Sequence, residues 1–394
     1  MHFTSYLGIA WLAIAWFVFL ATCAGALLQP LFQARRARNN AQPPVTAVLP
    51  IKLEHSGFDK AQASVFGQDY PEYEVLFSAA EADSPALETA FALKAHYPQT
   101  PTRILRSQSD FAVSPKLNTL DAPLSASAHD FVLVKDSNIV LEHDTLATFM
   151  RNFGAGVGMV VGVPVAEQGQ TVAGHIESAV INAHARLLLT ASMFGFGYGV
   201  GKVMLFRRSD LAKAGGIDAV SYTLAEDTAI AKGLDAIGLR TVFAHRTLRQ
   251  LTGWRTLREV YDRQVRWSVI RHTHEPLTFP LEPLVSPLPA AMAAALAAPL
   301  LGLPTIAAFG ISLTGWFLGE LGLAWLKGWE LSPYAPVAFL GREVLALAAW
   351  LRAWTTNDVV WQNGRFDVFV GARAAPRSST LKLQPDAPVA REQI

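Results

Sequence analysis

The chain has 394 residues, of which 51% are hydrophobic and only 16% charged, against roughly 25% charged in an ordinary soluble protein. With a mean hydropathy of +0.25 it cannot be a disordered chain, which needs few apolar residues and many charges. The balance of 33 basic and 32 acidic side chains leaves no surplus that points to nucleic acid, and the single cysteine, Cys23, excludes an intrachain disulfide.

In chain order, the first feature is a charge gap. Residues 1–34 contain no Asp, Glu, Lys or Arg, and about 20 apolar residues suffice to cross a bilayer. Arg35, Arg36 and Arg38 follow the apolar run. A cleaved signal peptide carries its positive charge ahead of that run, so this one reads as an uncleaved anchor. The arginines place the next domain on the cytoplasmic side, in a bacterial case the inner membrane.

Residues 40–282 read as one water-soluble domain. Val45-Thr46-Ala47-Val48-Leu49-Pro50-Ile51, Glu74-Val75-Leu76-Phe77-Ser78, Arg103-Ile104-Leu105 and Phe131-Val132-Leu133-Val134 are strands, with helices over 58–66 and 86–96. Alternating segments with continuously apolar strands predict a parallel sheet covered by helices, with ligands at the carboxyl ends of the strands. Gly154, Gly156 and Gly158 are followed by strand-like residues, so they do not form a dinucleotide loop, which needs a helix there. The glycine-rich residues 195–201 predict a close-packed loop beside a site.

A second uncharged run covers residues 283–319. Gly302-Leu303-Pro304 breaks it into two helices, 284–301 and 305–326, so residues 283–327 form a membrane hairpin. A third apolar segment, 334–356, contains Arg342, Glu343 and Arg352. Charges at mid-span are costly in lipid, which favours an interfacial helix over a further crossing. Residues 372–394 form a loose tail.

Three acidic positions fall where the sheet would bind a ligand: Asp83, Asp136 and the pair Glu226-Asp227. Asp136, with Asn138 two residues later, offers oxygen ligands suited to Mg²⁺ or Mn²⁺. Alternatively Asp136 only caps a loop. Asp227 is either the N-cap of a helix over 229–237 or a general base. Arg263-Gln264-Val265-Arg266-Trp267 lies on an amphipathic helix over 255–274. Its arginines, with Arg271, can pair with phosphates, or with Trp267 they form a belt at headgroup level.

Taken together and in this order, these features resemble the membrane glycosyltransferases of the ceramide glucosyltransferase type, with its three spaced aspartates and a Gln/Arg-x-x-Arg-Trp motif. Asp83 in Glu81-Ala82-Asp83-Ser84-Pro85, Asp136 in Lys135-Asp136-Ser137-Asn138 and Asp227 after Glu226 match the aspartates. Arg263, Arg266 and Trp267 give the arginine form of the last motif. Gln68-Asp69-Tyr70-Pro71, Pro115-Lys116-Leu117-Asn118 and Gly201-Lys202-Val203-Met204-Leu205-Phe206-Arg207-Arg208 match further, and His184 with Arg186 resembles a His-x-Arg of animal members. The second motif departs from the family's pattern: it is Asp136-Ser137-Asn138, ending on an amide where Asp-x-Asp would place a second carboxylate.

The resemblance implies an α/β protein: a GT-A (Rossmann-like) nucleotide-sugar domain with one N-terminal and two to three C-terminal membrane helices. It implies an inverting enzyme that moves a hexose from a UDP-sugar to the primary hydroxyl of a membrane lipid, ceramide first, with a hopanoid or other lipid, or a polysaccharide, as alternatives. By the same resemblance Asp227 is the catalytic base. Asp83, Lys116, Asp136, Arg263 and Arg266 bind the nucleotide sugar, Trp267, Glu226 and His184 lie near acceptor or sugar, and Asp136 with Asn138 holds a divalent metal. The partners are the donor, the lipid and the bilayer, with no nucleic acid.

Overall fold

A computed structural model describes residues 2–34, 40–81, 84–361 and 364–368. Asp83, the cluster Arg35, Arg36 and Arg38, and the tail 372–394 lie outside the described residues. The described residues form two compact units: those within 40–162 and 197–248 make one, and those within 2–34, 163–196 and 249–368 the other.

The first unit is built on a sheet with strands β1 (Val45–Pro50), β2 (Tyr73–Ala79), β3 (Thr102–Arg106), β4 (Phe131–Lys135), β5 (Ile139–Val140), β6 (Val157–Gly169), β7 (Val203–Arg207) and β8 (Arg240–Gly253). Their order is β3-β2-β1-β4-β7-β6-β8-β5. The apolar runs become strands because both faces are covered: Val45, Ala47, Leu49, Val75, Phe77, Leu133 and Leu205 belong to one buried cluster. Helices Pro85–His96 and Pro115–Ala126 each begin on proline, whose fixed φ suits the first turn. Ser114 caps the second by accepting from the Leu117 amide at 3.4 Å.

The sheet is parallel only in part. β1 runs parallel to β2 and β4, and β2 to β3. β7 is antiparallel to both β4 and β6. The four strands expected from sequence, β1 to β4, pair in parallel, and the antiparallel neighbour β7 is not among them. An apolar strand buried on both faces looks the same in sequence whichever way its neighbour runs.

The second unit is mainly helical: His2–Ala34, Val172–Met193, Leu257–His274, Pro287–Leu301, Thr305–Lys327 and Ala335–Ala353. Small residues let the first helix approach the fourth closely, for a Cβ on Gly8 would stand 2.8 Å from the Ala297 amide nitrogen. Among the described residues two stretches, Phe3–Phe32 and Thr305–Lys327, are long and apolar enough to cross a membrane.

Residues 284–301 are not one straight helix. A 3₁₀ segment, Phe279–Val285, meets Pro287–Leu301 at a 63° bend. Pro287 holds Ser286 extended, at φ −106° and ψ 163°, which interrupts the helix. The expected break after residue 301 is present, with Gly302 left-handed at φ 65°. Helix Ala335–Ala353 buries Arg342 and Glu343, paired with each other at 2.9 Å. Arg342 also reaches Glu320, at 2.8 Å.

Candidate active site

The chemistry of the first unit gathers at the end of β4. The antiparallel register sets Val203 of β7 opposite Lys135, so the next residue on each strand, Lys202 and Asp136, face one another. The Asp136 amide donates to the Lys202 carbonyl at 2.8 Å. The Lys202 ammonium meets Asp136 Oδ2 at 3.0 Å. Lys116, in the first turn of its helix, meets Oδ1 at 2.7 Å. Burial works against the charge on Asp136, yet the two ammonium groups outweigh it and hold the carboxyl down at about 2.

Lys116 extends the cluster. Its ammonium donates to the Gly201 carbonyl at 2.6 Å and lies 3.7 Å from Glu226 Oε1. Burial opposes its charge, but Asp136 and Glu226 overcome that and raise its pKa above the usual lysine range. Glu226 accepts from the Ser114 hydroxyl at 3.0 Å. Burial, with the repulsion of Asp227 added, pushes Glu226 up to about 7.

Glu226 and Asp227 open the helix Glu226–Ala236, where the dipole favours negative charge. Asp227 is not the cap, since that position is Ala225. Its Oδ2 accepts from the Gly201 amide at 2.5 Å and its Oδ1 from the Thr228 amide at 2.8 Å. The bond from Gly201 needs the glycine loop close by: a Cβ at Gly199 would collide with the Asp227 carbonyl. Glu226 is buried and Asp227 half-buried, so Asp227 is the better placed of the two to meet a ligand.

Lys116, Asp136, Glu226 and Asp227 thus come together, and Asn138 is buried in the turn after β4. Lys202 joins them without having been singled out for a role from sequence. Its proximity comes from the β4–β7 register, which no local pattern reveals. Ser114, the helix cap that also holds Glu226, was unread for the same reason. Among the described residues no group of three or more His, Cys, Asp or Glu gathers as a metal cage.

The remaining expected residues belong to the second unit. Arg263 donates to Glu177, which also accepts from Arg255 Nε at 3.2 Å. Glu177 is 0% exposed, so it needs these partners. Its pairing role went unread because the helix Val172–Met193 was not recognised as an element. Arg266 and Trp267 are half-buried on Leu257–His274. His184 Nδ1–H donates to the Val180 carbonyl at 2.9 Å, and burial, then Arg271, pushes its imidazolium down to about 4, leaving the ring neutral. Arg263→Met should destabilise the protein by about 1–3 kcal/mol, less than a full buried-pair loss because Arg255 remains. Thermal unfolding beside Arg255→Met checks this.

The fold is that of the GT-A glycosyltransferases. The structure superposes with a TM-score of 0.55 on a mannosyltransferase, PcManGT from Pyrobaculum calidifontis in complex with GDP-Man and Mn²⁺, at 17% identity over 89% of this chain and 99% of that one. The chain belongs to Glycosyl transferase family 21, whose profile matches residues 10–374, and is a sugar-transferring enzyme. Ceramide glucosyltransferase 1 of Caenorhabditis elegans is 24% identical to it over 354 residues, 88% of this chain and 76% of that protein. The ceramide glucosyltransferase of Komagataella phaffii is 26% identical over 270 residues, 59% and 53% of the two chains.

Proposed function

We propose that the enzyme moves a hexose from a UDP-sugar to the primary hydroxyl of a membrane lipid, ceramide in the first instance, with inversion. The observation that carries the reading is the cluster of Asp227, Glu226, Lys116, Asp136 and Lys202 at the strand ends. It places one accessible carboxylate beside concentrated positive charge. In the same chain two helices are of membrane-crossing length, and the relatives at 24% and 26% identity are named ceramide glucosyltransferases. Residues 1–34 then anchor the enzyme, the catalytic residues of 40–282 face the cytoplasm, and 283–327 re-enter the bilayer.

Asp227 takes the proton of the acceptor hydroxyl as its oxygen attacks the anomeric carbon. The bond from that carbon to the diphosphate breaks, and its electron pair leaves with UDP. Lys116 and Lys202 supply positive charge where the leaving diphosphate develops negative charge. Glu226, protonated below about pH 7, donates a hydrogen bond to a sugar or acceptor hydroxyl. Asp83 contacts the nucleoside, Arg263 and Arg266 the diphosphate, and Trp267 and His184 the acceptor side. One base and no second nucleophilic carboxylate correspond to single displacement.

A divalent metal fits this donor set in a limited way. Asp136 is ionised and Asn138 adds an amide oxygen, and Mg²⁺ or Mn²⁺ commonly takes one or two protein oxygens and completes its shell with phosphate and water. Those two residues would hold the metal, which would add positive charge at the diphosphate. Lys116 and Lys202 already contact the same carboxylate, so lysines and metal share it. Excess EDTA should slow transfer at least tenfold, with Mn²⁺ or Mg²⁺ restoring it. An unchanged rate would leave the diphosphate to the lysines alone.

Purified enzyme incubated with each of several UDP-hexoses and a short-chain ceramide tests the function. A β-linked product from an α-linked donor, identified by its anomeric proton coupling, is expected. An α-linked product, or release of free hexose alone, would overturn the proposal.

A further inference from the structure

Both oxygens of Asp136 already have a cation. Lys116 stands 2.7 Å from Oδ1 and Lys202 3.0 Å from Oδ2. The three side chains keep some open surface, 22% for Asp136, 12% for Lys116 and 20% for Lys202. A ligand can therefore reach these ion pairs and exchange partners with them.

A divalent ion on either oxygen would stand against the ammonium group that holds that oxygen. Like charges so close in a partly buried site repel strongly. The charge count says when the ion becomes welcome. Among the described residues the cluster sets Lys116 and Lys202 against Asp136 and Asp227, while burial holds Glu226 towards its neutral form. Those charges balance. Any charge on buried Lys135, whose ammonium donates to the Asp136 carbonyl at 3.3 Å, adds to the positive side. A divalent ion adds two positive charges, and the diphosphate of a sugar nucleotide brings two negative ones. Together they preserve the balance, and either alone upsets it.

The lysines can also let go. The Lys116 ammonium donates to the Gly201 carbonyl at 2.6 Å and lies 3.7 Å from Glu226 Oε1, so it keeps partners when it leaves Oδ1. A diphosphate offers both ammonium groups new anionic oxygens.

We infer that Lys116 and Lys202 guard Asp136: the free enzyme takes a divalent ion poorly, and a sugar nucleotide opens the carboxylate to it by drawing the two ammonium groups onto its phosphates. Metal and nucleotide then bind as a coupled pair, each raising the affinity for the other by the same factor. The inference rests on the reading of Asp136 as the metal's ligand in a UDP-sugar site.

Titration of Mn²⁺ into the full-length protein, followed by the paramagnetic resonance of the free ion, tests it with and without saturating UDP, after correction for Mn²⁺ bound by UDP in solution. In the wild type UDP should tighten Mn²⁺ binding by about tenfold or more. Lys202→Met should tighten Mn²⁺ binding without UDP by about fivefold or more, and should weaken UDP binding measured in EDTA. A site merely damaged by the substitution would lose affinity for both. Lys202→Arg, which keeps the charge, should leave Mn²⁺ binding without UDP as weak as in the wild type. If Lys202→Met unfolds early in a thermal melt, Lys202→Gln decides by the same comparison. Mn²⁺ binding that is unchanged or weaker in the uncharged variant, or equally tight with and without UDP in the wild type, would overturn the inference and leave the metal reading in place. Mn²⁺ retained by no form, even with UDP, would remove the metal from Asp136 and the inference with it. The expected Mn²⁺ pattern with no hexose transferred to ceramide would sink the functional reading and leave the guarding lysines standing.

Discussion

Asp227→Asn is expected to lower transfer by roughly 10²- to 10⁴-fold, the range over which a positioned general base acts, while UDP still binds. The substitution keeps the shape but only one accepting oxygen, whereas the carboxylate takes the Gly201 amide on Oδ2 at 2.5 Å and the Thr228 amide on Oδ1 at 2.8 Å. It removes the capacity to take a proton, together with one of these two hydrogen bonds. The effect should appear in kcat, with the donor KM little changed, because Asp227 is assigned to the reacting hydroxyl and not to the nucleotide. Rate measurements under saturating UDP-sugar check it. Transfer within a few-fold of wild type would move the base to Glu226, whose pKa near 7 makes it the alternative proton acceptor.

Lys116→Met should be the most damaging single change in the cluster. It strips one of two cations from Asp136 and the neighbouring cation from Glu226, and breaking a buried pair costs about 3–5 kcal/mol. The loss should depend on pH. Glu226 has its folded pKa raised from 4.5 to about 7. A raised carboxyl contributes stability that is fully present below pH 4.5 and lost as pH rises through 7. Without Lys116 its ionisation becomes harder still, so the variant should fall further behind wild type at pH 8.5 than at pH 5.5. Glu226→Gln in the same background should flatten that difference. Thermal unfolding at the two pH values checks both. Donor affinity should also drop, since the lysine is placed on the diphosphate.

Much of this was legible from residue order. β1, β2 and β4 announce themselves because strands buried on both faces must be continuously apolar, and the uncharged residues 1–34 and 283–319 mark where helices long and apolar enough to cross a membrane occur. Asp136 and Asp227 stand out by position, one after an apolar strand and one opening a helix. What escaped depends on distant pairings. The direction of β7 is not written in its side chains, and with it went the neighbourhood of Lys202. The bend at Ser286 was written in Pro287, and would have been found by asking what that proline does to the residue before it. The partner of Arg263 is Glu177, on a helix that begins more than eighty residues earlier in the chain. No spacing rule joins two such residues before the fold does.

The central claim is that this chain builds a glycolipid from a sugar nucleotide. Mass spectrometry of total lipids from a host that contains ceramide, expressing either the wild-type chain or Asp227→Asn, tests it most directly. The account predicts a new species at the mass of ceramide plus one hexose in the wild-type cells and its absence in the variant. A polymer in place of a glycolipid, or the same species in both cultures, would contradict it.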